Sequence, residues 1–258
     1  AVHSSATFTL SSDVENLTLT GSSDIDATGN DSANRLQGNS GANTLTGNGG
    51  NDILIGGSGD DILNGGDDKD TIVFSNAANQ VDLRITVTQN TGDGNDTLTT
   101  IENVNAGGGD DTVYGNNEAN VLRGQGGVDT LYGHGGNDIL NGGAGVDDMR
   151  GGDGNDIYFV DNSSDSITEG SGSGSGTDAV HSSATFILSS NVENLTLTGS
   201  SDIDATGNDS ENRLKGNSGA NTLIGNGGYD ILNGGAGVDD MRGGDGNDIY
   251  FVDNSSDS

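Results

Sequence analysis

The stretch Ala106–Phe159 reads AGGGDDTVY GNNEANVLR GQGGVDTLY GHGGNDILN GGAGVDDMR GGDGNDIYF, six nonapeptides in one frame with no insertion. Glycine opens the last five, at Gly115, Gly124, Gly133, Gly142 and Gly151. The sixth position holds Asp111, Asn120, Asp129, Asp138, Asp147 and Asp156, and the eighth holds an apolar or aromatic residue throughout, from Val113 to Tyr158. Six residues of Gly, Asn and Asp make a tight turn, because glycine accepts positive φ and Asn or Asp tolerates it. The remaining three, centred on one apolar side chain, make a very short strand. Two nonapeptides then close a coil of 18 residues, and turns 18 apart stack at about the 4.8 Å spacing of sheet strands.

Working outward, the same frame returns twice. It runs from Gly29 to Val73, with Asn34, Asn43, Asp52, Asp61 and Asp70 at the sixth position, and from Gly207 to Phe251, with Asn212, Asn221, Asp230, Asp239 and Asp248. The reading divides the chain into a truncated connector at 1–28, blocks at 29–73, 106–159 and 207–251, connectors at 74–105 and 160–206, and a truncated connector at 252–258. The second long connector carries the Gly/Ser run GSGSGSG at 170–176. The expected fold is all-β: parallel β-roll blocks, a solenoid, joined by β-rich connectors into one elongated rod. At longer range, Ala1–Asp52 returns at Ala179–Asp230 with six differences and Asp138–Ser166 returns at Asp230–Ser258 with none. That repetition, with a start lacking Met or a signal-peptide pattern, predicts a window from a longer tandem array.

Stacking sets the sixth-position residues in pairs: 52/70, 111/129, 129/147, 138/156 and 230/248 are Asp on both sides, and 34/52, 43/61, 120/138, 212/230 and 221/239 mix Asn with Asp. Carboxylates at that distance repel. A hard cation taking 6–8 oxygens from carboxylates and turn carbonyls removes the repulsion, and calcium suits such a site better than magnesium, which demands a small octahedron. Zinc and copper favour His or Cys, and neither recurs in the frame. One ion per pair gives up to about ten.

Composition supports the same reading. Hydrophobic residues are 29% of 258, proline and cysteine are absent, and net charge is −32. Such a chain has too little apolar surface to fold by burial alone, so periodicity and bound ions must compensate. Eight basic residues argue against nucleic acid, whose phosphates need Lys and Arg, and no apolar run reaches the ~20 residues of a membrane span. His3, His134 and His181 are scattered. GNSGA at 38–42 and GGSGD at 56–60 lack the last glycine of a nucleophile elbow, and the ligand pattern of an EF-hand is broken at Thr97. No nucleophile, base and oxyanion donor converge in the pattern, so the window is read as non-enzymatic.

The nonapeptides at 29–73, 106–159 and 207–251 resemble the RTX (repeats-in-toxin) haemolysin-type calcium-binding repeats. The resemblance implies a parallel β-roll with calcium between stacked turns, held by the sixth-position Asp side chains and by turn carbonyls such as those of Gly133, Gly135 and Gly151. It also implies a secreted or cell-surface bacterial protein that leaves through type I secretion machinery and folds in external calcium. Asn34, Asn43, Asn120, Asn212 and Asn221, and the replacement of the fourth glycine by Ser32, Asp68, Glu118 and Ser210, mark turns expected to bind more weakly or stay empty. Two other functions fit the pattern: a repetitive adhesin or surface-layer scaffold with side-by-side or tandem assembly, and the tail of a secreted hydrolase, protease or polysaccharide epimerase.

Overall fold

The computed structural model describes residues 1–172 and 174–258; Ser173, inside the expected linker at 170–176, lies outside them. Every helix or strand among the described residues is a β-strand. The chain forms two compact units, Ala1–Leu131 and Tyr132–Ser258, and each is a parallel β-solenoid.

In the first unit one face is a run of parallel strands, Val2–Ser4, Asn16–Leu19, Arg35–Gln37, Ile53–Ile55, Thr71–Val73, Asn103–Asn105 and Val121–Gly127. The facing side starts with Phe8–Thr9, Ala27–Thr28, Thr44–Asn48 and Ile62–Gly66, which pair in the same parallel sense. Within the repeats the register is 18 residues, Leu36 opposite Leu54 and Leu45 opposite Leu63. Residues 74–105 break that spacing without breaking the stack. Asn95–Thr99 adds to Ile62–Gly66, with Leu98 opposite Leu63, and turns back antiparallel onto Gln89–Asn90. Gln80–Asp82 pairs instead with Thr112–Tyr114. An extra hairpin is therefore inserted on one face while the other advances directly from Ile72 to Val104.

In the second unit, Ile139–Gly145, Ile157–Val160, Ala179–Ser182, Asn194–Leu197, Arg213–Lys215, Ile231–Asn233 and Ile249–Phe251 form one parallel face. Asp148–Asp153 pairs with Ser166–Thr168 on the facing side. Phe186–Ile187, Ala205–Thr206, Thr222–Gly227 and Asp240–Asp245 complete it.

The eighth-position side chains are the core. Leu36, Leu45, Leu54, Val113, Leu122, Leu140, Met149, Leu214, Leu223 and Leu232 are fully enclosed, each contributing roughly 1.5–3 kcal/mol of apolar burial. Turn chemistry is equally positional. In the Asp turns the second residue takes positive φ whether it is glycine (Gly57, φ 100°) or not (Asn48, φ 83°; His134, φ 77°), so glycine is commonest there. No helix of the described residues is long and apolar enough to cross a membrane.

Candidate metal centres

Each sixth-position residue directly precedes a strand, as Asp52 precedes Ile53–Ile55, and its backbone N–H points along the stack toward the next turn. The next sixth-position side chain receives it. Asn34 N–H donates to Asp52 Oδ1 at 2.7 Å, Asn43 to Asp61 at 2.8 Å, and Asp52 to Asp70 at 2.8 Å. Asp111 donates to Asp129 at 2.9 Å and Asp138 to Asp156 at 2.7 Å. Asn212, Asn221 and Asp230 donate to Asp230, Asp239 and Asp248 at 2.8, 2.9 and 3.1 Å. The stacked pairs 34/52, 43/61, 52/70, 111/129, 138/156, 212/230, 221/239 and 230/248 are thus brought together. Asn120 and Asp129 belong to the first unit and Asp147 to the second.

The ladder continues on residues outside the three nonapeptide blocks. Asp61 N–H donates to Asp96 Oδ1 (2.8 Å) and Asp70 N–H to Glu102 Oε2 (2.9 Å). Asp147 donates to Asp165 (3.0 Å), Asp156 to Asp178 (2.7 Å), Asp178 to Glu193 Oε2 (2.8 Å) and Asp239 to Asp257 (3.1 Å). Asp96, Glu102, Asp165, Asp178 and Glu193 share one local signature: an acid two residues before an apolar core side chain, as in Asp96-Thr-Leu98, Glu102-Asn-Val104, Asp178-Ala-Val180 and Glu193-Asn-Leu195. The repeat's Asp-x-apolar triplet survives where its glycines do not.

One oxygen of each carboxylate is used by the ladder; the other faces the turn interior. The Oδ2 atoms of Asp52, Asp61, Asp70, Asp111, Asp156, Asp178, Asp230 and Asp239 are buried with no hydrogen-bond partner. A buried polar atom without a partner costs about 1–3 kcal/mol, more when charged, so repeating the arrangement demands a ligand. The opener glycines line the same space. A methyl group on Gly47 would collide with Asp52 Oδ2 and the Gly65 carbonyl oxygen; on Gly133 it would meet Asp138 Oδ2 and the Gly151 carbonyl; on Gly225, Asp230 Oδ2 and the Gly243 carbonyl. Gly135 is the third residue of the Gly133 turn. Carboxylate oxygen and main-chain carbonyl thus converge on one cradle, a donor set of hard oxygens that fits calcium. Burial pushes Asp52, Asp61, Asp70, Asp111 and Asp129 up to about 6, only partly offset by the N–H from the preceding turn.

The Asn turns differ. Asn34, Asn43, Asn120, Asn212 and Asn221 direct Oδ1 to the N–H of their own turn's second residue, at 2.7–2.9 Å. The Nδ2 groups of Asn43, Asn120, Asn212 and Asn221 reach carbonyls of the preceding coil, such as Ile25 and Ile203, each at 2.6 Å, while that of Asn34 donates to Asn30 Oδ1 at 3.2 Å. Asn79 goes further: its Nδ2 lies among the carbonyls of Ser75, Ala77 and Ala106 and Asp111 Oδ1, at 2.7–3.3 Å. There an amide stands where the Asp turns converge their oxygens.

The arrangement defines a class: a repeat β-solenoid whose turns present oxygen cradles for hard divalent cations. The RTX calcium-binding nonapeptide repeat model matches the chain at residues 28–63, 48–81, 105–140, 123–158, 132–167 and 215–250. These matches span more than half of the chain, and the chain belongs to that family. No curated protein matches it.

Proposed function

We propose that this chain is a calcium-driven folding module of a larger exported bacterial protein, disordered where calcium is scarce and folded outside the cell. The observation that carries the reading is the row of buried Oδ2 atoms without partners, set against a net charge of −32. The sixth-position Asp residues are the proposed ligands, with the turn carbonyls, including those of Gly133, Gly135 and Gly151, completing each shell. Calcium, when bound, supplies the positive charge that offsets a stacked carboxylate pair. The residues themselves do the rest: each Asp ties the preceding coil through Oδ1 and presents Oδ2 to the cradle, so filling one turn orders its neighbour.

Ions that bind only the folded coil stabilise it by RT ln(1 + [Ca]/Kd) per site, about 2.7 kcal/mol at 100 times Kd. We assign the filled sites to turn pairs with Asp on both sides and the Asn turns to weak or no binding. Type I secretion and an extracellular location follow from the family resemblance. The division into three blocks and connectors becomes, in this reading, a division between metal-rich and metal-poor coils. Native mass spectrometry of the chain in calcium tests the reading: several bound ions are expected, and fewer than about three per chain, given the number of Asp pairs, would overturn it.

A further inference from the structure

We infer that the turn following Ile167 completes a three-carboxylate cation site from Asp156, Glu169 and Asp178, the tightest divalent-cation site of the second unit. The inference rests on the calcium-binding reading above and names a site that the nonapeptide frame does not contain. One oxygen from each of the three carboxylates lies within 4.8 Å of the others. In the strand register Thr168 sits opposite Arg150, so Glu169 occupies the place of Gly151, the opener of the neighbouring turn. A glycine is needed at ordinary openers because Cβ runs into the ligand oxygens. Here the turn from Glu169 to Asp178 is ten residues instead of six.

The Glu169 side chain is held from three directions. Its Oε1 accepts the Tyr158 hydroxyl, and its Oε2 accepts the N–H groups of Gly152 (3.1 Å) and Gly170 (3.3 Å). A Cβ built on Gly151 would meet Asp156 Oδ2, Glu169 Oε1 and the Tyr158 hydroxyl together, which shows that these groups surround one space. A second observation points to a ligand. Asp156 and Asp178 are 1% and 0% exposed, and each keeps an Oδ2 with no hydrogen-bond partner. Both Oδ1 atoms are committed to the ladder, to the N–H groups of Asp138 and Asp156. Three hard oxygens with up to three negative charges, no nitrogen or sulfur donor, and a preformed second shell select calcium or a lanthanide over zinc. Ligand charge count raises calcium affinity, so a site with three carboxylates fills before the two-carboxylate pairs.

The test is a terbium titration of the full chain, excited through tyrosine, beside a calcium titration by calorimetry. Glu169→Gln keeps shape and removes the charge. It is expected to weaken the first calcium equivalent by roughly 10- to 100-fold, whereas the control Asp13→Asn, at an exposed acid outside the turns whose counterpart is already Asn191, leaves that equivalent intact. Tyr158→Phe is expected to remove sensitised terbium emission from the first equivalent, because that phenol touches Glu169. If Glu169→Gln binds the first equivalent as the wild type does, or Tyr158→Phe retains its emission, the inference fails while the calcium reading stands. A wild-type chain that binds no calcium fails the calcium reading itself. If Glu169→Gln does not fold, the Tyr158→Phe emission decides alone.

Discussion

Asp138–Ser166 and Asp230–Ser258 are identical in sequence, lie in the same unit, and have different environments. Tyr158 is fully enclosed and Val160 is 3% exposed; their counterparts Tyr250 and Val252 are 45% and 60% exposed. Local sequence cannot account for that. Ala179–Ser182 runs alongside Ile157–Val160 and sets Val180 opposite Tyr158, whereas Ile249–Phe251 pairs only with Ile231–Asn233. Core formation in this fold is a property of the next coil. Each repeat carries half of an interface, and its stability depends on nearest neighbours. The same holds for charge: burial pushes Asp156 up to about 7, and the neighbouring carboxylates of Asp138 and Asp153 raise it further.

The largest effect that sharpens this comparison is Tyr158→Ala against Tyr250→Ala in calcium. Truncating the enclosed ring should cost about 3–5 kcal/mol, and truncating the exposed one no more than about 0.5–1 kcal/mol, read from urea midpoints. Equal losses would break the nearest-neighbour account. Next comes a pair within one turn. Gly47→Ala places a methyl against Asp52 Oδ2 and the Gly65 carbonyl, whereas the closest atom to a methyl at Gly49 is Asp31 Cα at 3.8 Å. Gly47→Ala should cost about 1–3 kcal/mol and raise the calcium midpoint; Gly49→Ala should stay within about 0.5 kcal/mol of wild type.

The smallest effect is pH dependence in chelator. Burial raises Asp156 from an ordinary 3.8 to about 7 and Asp52 to about 6, so without calcium the folded form binds protons that the unfolded chain has released. That stabilisation is fully present below about 4 and is lost as pH rises through 6–7. The β content of the chelated chain, read by far-UV circular dichroism, should therefore fall between about pH 4 and pH 7. A rise over that range would contradict the burial of these carboxylates.

Much of this was legible in the sequence, for a reason particular to the fold. A strict nine-residue period fixes strand, turn and core at once, so the enclosed Leu36, Leu54, Leu122 and Leu140 and the facing Asp pairs 52/70 and 138/156 could be read directly. The ladder through Asp96, Glu102, Asp178 and Glu193 could not, because insertions put its members 35, 32, 22 and 15 residues from their partners. Its signal is the Asp-x-apolar triplet, which is too short to stand out without the glycines. Nor could periodicity show that Asn34 and Asn221 turn Oδ1 onto an N–H of their own turn, or that Glu169 at an opener position turns inward. Those depend on where a side chain finds donors once the stack has formed.

The most direct test of the central claim is far-UV circular dichroism of the whole chain titrated with calcium from chelator, with magnesium in parallel. The account predicts a cooperative change from a disordered to a β spectrum with calcium alone, because only calcium matches cradles of many oxygens around stacked carboxylates. A β spectrum that persists in excess chelator at neutral pH would contradict it, since packing alone would then hold the stacked Asp residues together.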